Sequence, residues 1–183
     1  MNLSPTELPG VFLVEPELLA DERGAFARTF CVDEFGSAGI DFEVVQANIS
    51  FNKYSGTLRG MHFQRAPHAE AKVVRCTSGA VYDVVVDLRP DSPTYCQWIS
   101  AELNADNRKA LFIPEGCAHG FQTLLDNTEV DYLMSVRYAP EAASGVRFDD
   151  AAFGIEWPLP VSSLSERDRD WPDYDVSSGK TSS

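Results

Sequence analysis

Positive charge, long hydrophobic runs and paired cysteines are scarce or absent in this sequence, and each shortage excludes a class of protein. Its 15 lysines and arginines stand against 28 aspartates and glutamates, a formal net charge of -13. That charge argues against nucleic acid or an anionic membrane as a partner, but it is compatible with a small anionic ligand if the cations are concentrated locally. No apolar stretch approaches the length of a membrane-spanning helix, and the N-terminus lacks the basic and apolar regions of a signal peptide.

The four cysteines are scattered and lack the paired spacing of a zinc site or a disulfide framework. We therefore expect free thiols in a reducing cytoplasm. The positions are Cys31, Cys76, Cys96 and Cys117.

What the sequence does contain is a series of short segments in which apolar residues alternate with polar ones, separated by turn-forming residues. Segments of this kind predict the strands of a sandwich or barrel. The predicted strands are 10–15, 25–30, 42–51, 57–63, 71–77, 80–88, 95–103, 110–113, 120–125 and 130–138. A helix is predicted over 32–38, short helical turns over 148–154 and 165–170, and irregular backbone over 1–10. We expect one all-β domain over residues 1–172 and a flexible tail over 173–183.

His62 is the first candidate functional residue, because it lies in a strand with two different faces. Strict alternation places it on one face with Leu58, Gly60 and Gln64, and puts the three residues between them on the other face. An imidazole inside a barrel is costly unless it has a partner or a task. The alternative is a structural histidine, and residues 58–64 alone do not decide between the two.

A second histidine, His119, follows a proline and glycine turn at Pro114 and Gly116, as histidines often do in double-stranded β-helix (cupin) folds. Metal-binding cupins carry a further histidine at the position of Gln64, so we predict a cupin without a metal. Asp83 interrupts an apolar strand and could accept the ring N–H of His119.

Two further polar side chains alternate with apolar neighbours. Lys72 would point its ammonium inward, and Tyr132 lies in another predicted strand. Arg23, Phe26 and Arg28 would form an aromatic and cationic clamp for a base and its phosphates, or an ordinary edge strand. Taken one by one, these residues are more often structural.

Nearly the whole chain resembles the dTDP-4-dehydrorhamnose 3,5-epimerase family. The resemblance rests on sequence motifs that follow one another in the same order as in the family, over roughly residues 10–172. They are Asp21-Glu22-Arg23-Gly24, Gly56-Thr57-Leu58-Arg59-Gly60-Met61-His62-Phe63-Gln64, Ala71-Lys72, Asp87-Leu88-Arg89-Pro90-Asp91-Ser92-Pro93-Thr94, residues 113–121, Tyr138-Ala139-Pro140-Glu141 and Gly154-Ile155-Glu156-Trp157-Pro158-Leu159.

The resemblance implies a cupin jelly roll that epimerises a dTDP-4-keto-6-deoxyhexose at C3 and C5. His62 would remove the proton α to the ketone with Asp168 as its partner, Tyr132 would return a proton from the opposite face, and Lys72 would stabilise the enolate. Arg59 would bind the diphosphate, while His119 and Asp83 line the site. The expected nucleotide-binding set is Arg23, Phe26, Arg28, Gln46, Asn48 and Tyr138, some of it from the second subunit of a homodimer.

The reaction needs no redox cofactor, and the sequence has no nucleotide-binding glycine motif. Five departures from the family pattern leave the substrate and the number of inverted centres open: Ala25, Arg28, Cys117, Asp131 and Leu133. The alternatives are a C3-only or C5-only monoepimerase and a cupin that binds a sugar nucleotide without catalysis. A metal-dependent dioxygenase is a third alternative, against which Gln64 argues.

Overall fold

A computed structural model describes residues 1–177, in which two antiparallel β-sheets face each other across an apolar interior. The strands are β1 (Asn2–Pro5), β2 (Phe12–Glu15), β3 (Leu19–Asp21), β4 (Gly24–Phe26), β5 (Gln46–Asn52), β6 (Leu58–Gln64), β7 (Lys72–Ser78), β8 (Ala80–Asp87), β9 (Trp98–Asn104), β10 (Ala110–Ile113), β11 (Cys117–Thr123), β12 (Thr128–Met134) and β13 (Ala143–Gly145). The helices are α1 (Val32–Ser37) and α2 (Glu166–Arg169). Within the described part of the chain, neither helix is long or apolar enough to cross a membrane.

The first sheet has the strand order β1-β2-β10-β7-β12-β5, and the second has the order β13-β6-β11-β8-β9. Strands β3 and β4 form a separate hairpin. From β5 to β8 and again from β9 to β12, each successive strand lies in the other sheet, which is the winding of a double-stranded β-helix. The predicted all-β jelly roll is confirmed.

The interior between the sheets is filled by alternate side chains of both sheets. Val74 and Val130 come from the first sheet, and Val85 and Phe121 come from the second. Strand β8 is buried on both faces, because Val84 and Val86 pack on the other side against residues of the 146–157 segment. Each fully buried side chain of this kind contributes roughly 1.5–3 kcal/mol relative to an exposed one.

The sequence-based prediction was wrong at the N-terminus. Residues 2–5 form a strand, because β1 pairs with β2 from Asn2–Glu15 to Pro5–Phe12. On its other side β2 pairs with β10, so the apolar 11–14 segment is not an exposed edge. Pairing with other strands decides both points, and local residue preference does not report it.

Other predicted bounds also differ from the structure: the strands predicted over 42–51, 95–103 and 130–138 are β5, β9 and β12. The second strand of the first half ends at Phe26, well before residue 30, and residues 173–177 belong partly to the folded body. Tyr174 packs its ring against Phe153, and its backbone N–H donates to Asp150 Oδ2 at 2.6 Å. The rest of the predicted tail, 178–183, lies outside the described residues.

The turn after β8 is organised by the fully buried carboxylate of Asp87. It accepts hydrogen bonds from Arg89 Nε at 2.8 Å and Thr94 Oγ1 at 2.7 Å, and also from Ser92 Oγ. Burial raises the pKa of Asp87, but the hydrogen bonds from Arg89, Ser92 and Thr94 outweigh it and lower the pKa to about 2. Arg89 also donates to Pro9 O at 2.7 Å, which ties the turn to the N-terminal segment.

We expect Asp87→Asn to lower the free energy of unfolding at pH 7 by about 2 kcal/mol, the value of a pKa depressed from 3.8 to about 2. Because the folded-state pKa is depressed, this stabilisation is present above about pH 4 and is lost as the pH falls towards 2. Denaturant unfolding at several pH values measures it, with the exposed Asp106→Asn as the control. Equal destabilisation by Asp87→Asn at pH 7 and pH 2.5 would contradict the assignment.

Candidate active site

The candidate site is built where β6 and β11 run side by side, with His62 directly opposite His119. The two strands touch backbone to backbone next to this pair. A Cβ at Gly60 would lie 2.5 Å from Gly120 Cα, and a Cβ at Gly120 would lie 2.7 Å from Arg59 O. Gly60 also has a φ of +134°, a conformation that side-chain-bearing residues rarely adopt. Glycine is therefore required on both strands.

The same contact corrects the predicted faces of β6. His62 pairs with His119, but Arg59 pairs with Phe121. Three residues along β6 therefore span the same length as two residues along β11. One extra residue in a strand forms a bulge and reverses the faces of the residues that follow it. Arg59, predicted to point away from His62, lies with it on the wall of one cavity.

His62 forms a pair with Asp168, which lies on α2. His62 Nε2 lies 2.6 Å from Asp168 Oδ1. Burial of this carboxyl raises its pKa, yet the hydrogen bond with His62 and the charge of His62 outweigh burial and lower the pKa of Asp168. Ser165 Oγ accepts the backbone N–H of Asp168 at 3.1 Å and thereby caps the helix. The Ser165-x-x-Asp168 spacing is a helix-start signal that sequence reasoning could have used.

A second histidine–aspartate pair lies behind the first. His119 Nε2 is 2.9 and 3.0 Å from the two carboxylate oxygens of Asp83, and both side chains are buried. The strand that contains His119 begins at Cys117, three residues before the predicted start. Phe121 of β11 is the register partner of Asp83 on β8, so neighbouring strands of one sheet supply the two side chains.

Tyr132 enters the site from the opposite sheet, on β12. Its ring centroid lies 6.2 Å from that of His119, with an interplanar angle of 75°. Burial raises the pKa of Tyr132, the nearby Asp83 carboxylate raises it further, and Arg59 opposes both effects. The phenol is therefore held in its protonated form.

His62, Lys72 and Tyr132 line one cavity of about 240 Å³ between the sheets. A second cavity of about 400 Å³ adjoins it at His62 and extends towards Arg59 and Asp168. A third, of about 310 Å³, shares Asn48, Glu70 and Tyr138 with the first and also has Gln46 on its wall. Through these shared wall residues the second and third cavities adjoin the first as branches, and His62 borders both the first and the second.

The cations of this space are held in different ways. Lys72 Nζ donates to Glu70 Oε1 at 2.6 Å, and both side chains are buried. Arg59 Nε donates to the neutral amide oxygen of Asn52 at 2.6 Å. Arg167, which lines the first two cavities, lies over the indole of Trp171 at 5.3 Å. Sequence reasoning singled out neither Glu70, Arg167 nor Trp171.

Gln64 stands at the position where metal-binding cupins carry a histidine, and here its amide organises a loop. Its Oε1 accepts the backbone N–H of Ala139 at 2.7 Å, and Gln46 Oε1 accepts the backbone N–H of Tyr138 at 3.1 Å. These two glutamines hold Tyr138 beside the cavity. Residues 1–177 contain no group of three His, Cys, Asp or Glu side chains that could hold a metal ion.

Three predicted nucleotide-binding residues do not reach this space within the chain. Arg23 is largely exposed in the turn of the β3–β4 hairpin and pairs with Asp21, and Phe26, the last residue of β4, is 70% exposed. Arg28 pairs with Glu34 at 2.6 Å and lines a separate cavity near the N-terminus. The predicted clamp is therefore not assembled beside His62 by these residues in a single copy of the chain.

Two facing sheets around a cavity with histidine, tyrosine and lysine on its walls define an enzyme of the cupin jelly-roll class, equipped for proton transfer. A family model described as dTDP-4-dehydrorhamnose 3,5-epimerase matches residues 5–175. The chain belongs to this family, whose members are isomerases.

Individual relatives agree with this assignment. The dTDP-4-dehydrorhamnose 3,5-epimerase of Methanothermobacter thermautotrophicus is 44% identical over 169 residues, covering 91% of this chain and 90% of that protein. The crystal structure of the Bacillus anthracis dTDP-4-dehydrorhamnose 3,5-epimerase, with TDP and PPi bound, has a TM-score of 0.91 at 39% identity and covers 94% of this chain and 99% of that one. A dTDP-4-dehydrorhamnose 3-epimerase of Streptomyces niveus is 42% identical over 171 residues, 93% of this chain and 82% of that protein.

The raised pKa of Tyr132 predicts that its phenol stays protonated where an ordinary tyrosine, with a pKa of about 10, would be half ionised. Absorbance of tyrosinate during an alkaline titration measures this. Between pH 10 and 11 the wild-type protein and Tyr132→Phe should give the same absorbance. Loss of one tyrosinate equivalent near pH 10 in Tyr132→Phe would contradict the assignment, and Tyr54→Phe, which removes an exposed phenol, is the matched control.

Proposed function

We propose that this chain inverts C3 and C5 of a dTDP-linked 4-keto-6-deoxyhexose through an enolate, without a cofactor. The observation that carries the proposal is that His62 and Tyr132 come from opposite sheets and line one cavity. Inversion of a carbon centre requires a proton to leave on one face and to return on the other. An imidazole and a phenol on facing walls meet that requirement.

His62 is the base of the proposed reaction. An ionised carboxylate only accepts hydrogen bonds, so Asp168 assigns the proton of the imidazole to Nε2 and leaves the lone pair on Nδ1. Nδ1 takes the proton from the carbon next to the ketone, and the bonding electrons move onto the C4 oxygen. Asp168 then stabilises the imidazolium that has formed.

Lys72 and Tyr132 complete the proton transfer. The Lys72 ammonium faces the cavity and stabilises the negative charge as it develops on the enolate oxygen. Tyr132 donates its proton to the carbon on the face opposite His62, which restores the ketone with inverted configuration. Solvent then removes the proton from His62 and returns one to Tyr132.

The nucleotide would occupy the outer branches of the cavity. Arg59 binds the diphosphate, with His119 and Asp83 behind the sugar, and Gln46, Asn48 and Tyr138 contact the thymidine. Arg23, Phe26 and Arg28 would reach this site from the second subunit of a homodimer, which their exposure on the β3–β4 hairpin and near the N-terminus supports. We also propose a cytoplasmic location, in keeping with four cysteines that form no disulfide.

A second candidate function is epimerisation at C3 alone. The Streptomyces niveus relative named as a 3-epimerase is 42% identical to this chain, almost as similar as relatives named as 3,5-epimerases. Binding of a sugar nucleotide without catalysis is less well supported, because the cavity contains a complete set of base, acid and cation.

The deciding experiment is proton NMR of a dTDP-4-keto-6-deoxyhexose in deuterium oxide. We expect wild-type protein to exchange and invert the hydrogens at both C3 and C5, His62→Ala to stop exchange, and Tyr132→Phe to slow inversion by about 10²-fold or more. Inversion at one carbon would establish the monoepimerase alternative. No exchange at either carbon would overturn the proposal.

Arg59→Ala should weaken dTDP binding about 10- to 100-fold with the fold unchanged, because it removes a charge-assisted contact with the diphosphate. Isothermal titration with dTDP measures the affinity, and circular dichroism checks the fold. Arg108→Ala, which removes an exposed cation outside the cavities, is the matched control. Unchanged affinity in Arg59→Ala would remove the diphosphate assignment.

A further inference from the structure

Glu70 is a buried carboxylate in the cavity to which the proposed reaction gives no task. Its side chain is 9% exposed, and its Oε1 accepts the Lys72 ammonium at 2.6 Å. Glu70 lines both the central cavity and the branch that contains Gln46. It therefore lies between the expected sugar and thymidine positions.

The backbone holds this pair in place. Ala71, between the two charged residues, receives a hydrogen bond from Ser135 N to its carbonyl oxygen at 3.0 Å and donates its own N–H to Ser135 Oγ at 2.8 Å. These reciprocal bonds fix β7 to the segment that follows β12. The two side chains are thus presented to the cavity from one anchored point.

The three cations of the cavity differ in how their charge is compensated. Lys72 has a carboxylate at hydrogen-bond distance, whereas no carboxylate within residues 1–177 forms an ion pair with Arg59 or Arg167. A dianionic diphosphate is attracted most by cations that have no counter-ion of their own. A buried lysine with a built-in counter-ion is better suited to charge that appears only during the reaction.

We propose that Glu70 is a positioning residue, which holds the Lys72 ammonium against the cavity wall and neutralises it in the ground state, so that Lys72 acts on the enolate and not on the diphosphate. This inference rests on the function proposed above. An ammonium that is paired and fixed before the substrate arrives needs no rearrangement when the C4 oxygen becomes negative. The contact with substrate is made by Lys72, and Glu70 acts through it.

The first test separates kcat from the affinity for dTDP. Glu70→Gln keeps the shape of the side chain but removes its charge, so Lys72 is no longer held as an ion pair. We expect kcat to fall at least about tenfold, while the affinity for dTDP does not fall and can rise, because the Lys72 ammonium then lacks its counter-ion and attracts the diphosphate. Glu70→Asp, which restores the charge with a shorter reach, should recover part of kcat.

The second test is a double-mutant cycle of Glu70→Gln and Lys72→Met. If Glu70 acts through Lys72, Glu70→Gln should cost no further activity in the Lys72→Met background.

The stability of the same variants gives a second readout, which needs no substrate. Lys72→Met leaves a buried carboxylate without its partner and should lower the melting temperature, and adding Glu70→Gln should raise it again. Glu141→Gln, at an exposed glutamate outside the cavities, is the control. Its effect on the melting temperature should simply add to that of Lys72→Met.

The outcomes separate this inference from the proposed function. Additive effects of Glu70→Gln and Lys72→Met on both kcat and melting temperature would overturn the inference, as would a fall in dTDP affinity equal to the fall in kcat. If wild-type protein exchanges no substrate hydrogen while the stability effects remain coupled, the proposed reaction fails and the coupling of the ion pair stands.

Discussion

The site depends on how closely two neighbouring strands approach each other. Gly60 on β6 and Gly120 on β11 touch backbone to backbone, with no space for a Cβ on either. Next to this contact β6 contains one extra residue relative to β11, which reverses the alternation of its faces. As a result Arg59 and His62 share a cavity wall. One steric contact thus sets the positions of both Arg59, the proposed diphosphate ligand, and His62, the proposed base.

Around that contact the cavity is lined by ionisable groups whose counter-charges are buried. Asp168 and Glu70 are each less than a tenth exposed, and their partners, His62 and Lys72, line the central cavity. The buried Asp83 holds His119 in the same way. Burying such pairs contributes little to stability, since desolvation offsets most of their attraction. Their benefit lies in fixed orientation, because a base or ammonium held from behind has few alternative positions when the substrate binds.

Sequence reasoning located the strands well where period-two alternation lay between strong turn residues, and β10 coincides with its predicted bounds because Pro114 follows it directly. It failed where contact with another strand decides the local structure. Residues 2–5 become a strand only through β2, and the face of Arg59 depends on a glycine sixty residues away. His62, His119 and Tyr132 stood out by residue type, whereas Glu70 and Arg167 resemble surface charges until the fold places them in a cavity.

The proposed chemistry also explains how relatives named for one inversion and for two can be about equally similar to this chain. C3 and C5 are both attached to C4, so the two enolates place their negative charge on the same oxygen, and Lys72 can serve both. His62 and Tyr132 likewise need no change, provided that the ring can shift between them. The number of inversions then depends on the freedom of the sugar inside the central cavity, whose wall includes the small residues Ala143 and Ser144 on β13, the strand that pairs with β6. Side chains that shape the cavity, more than those that carry protons, would separate the two activities.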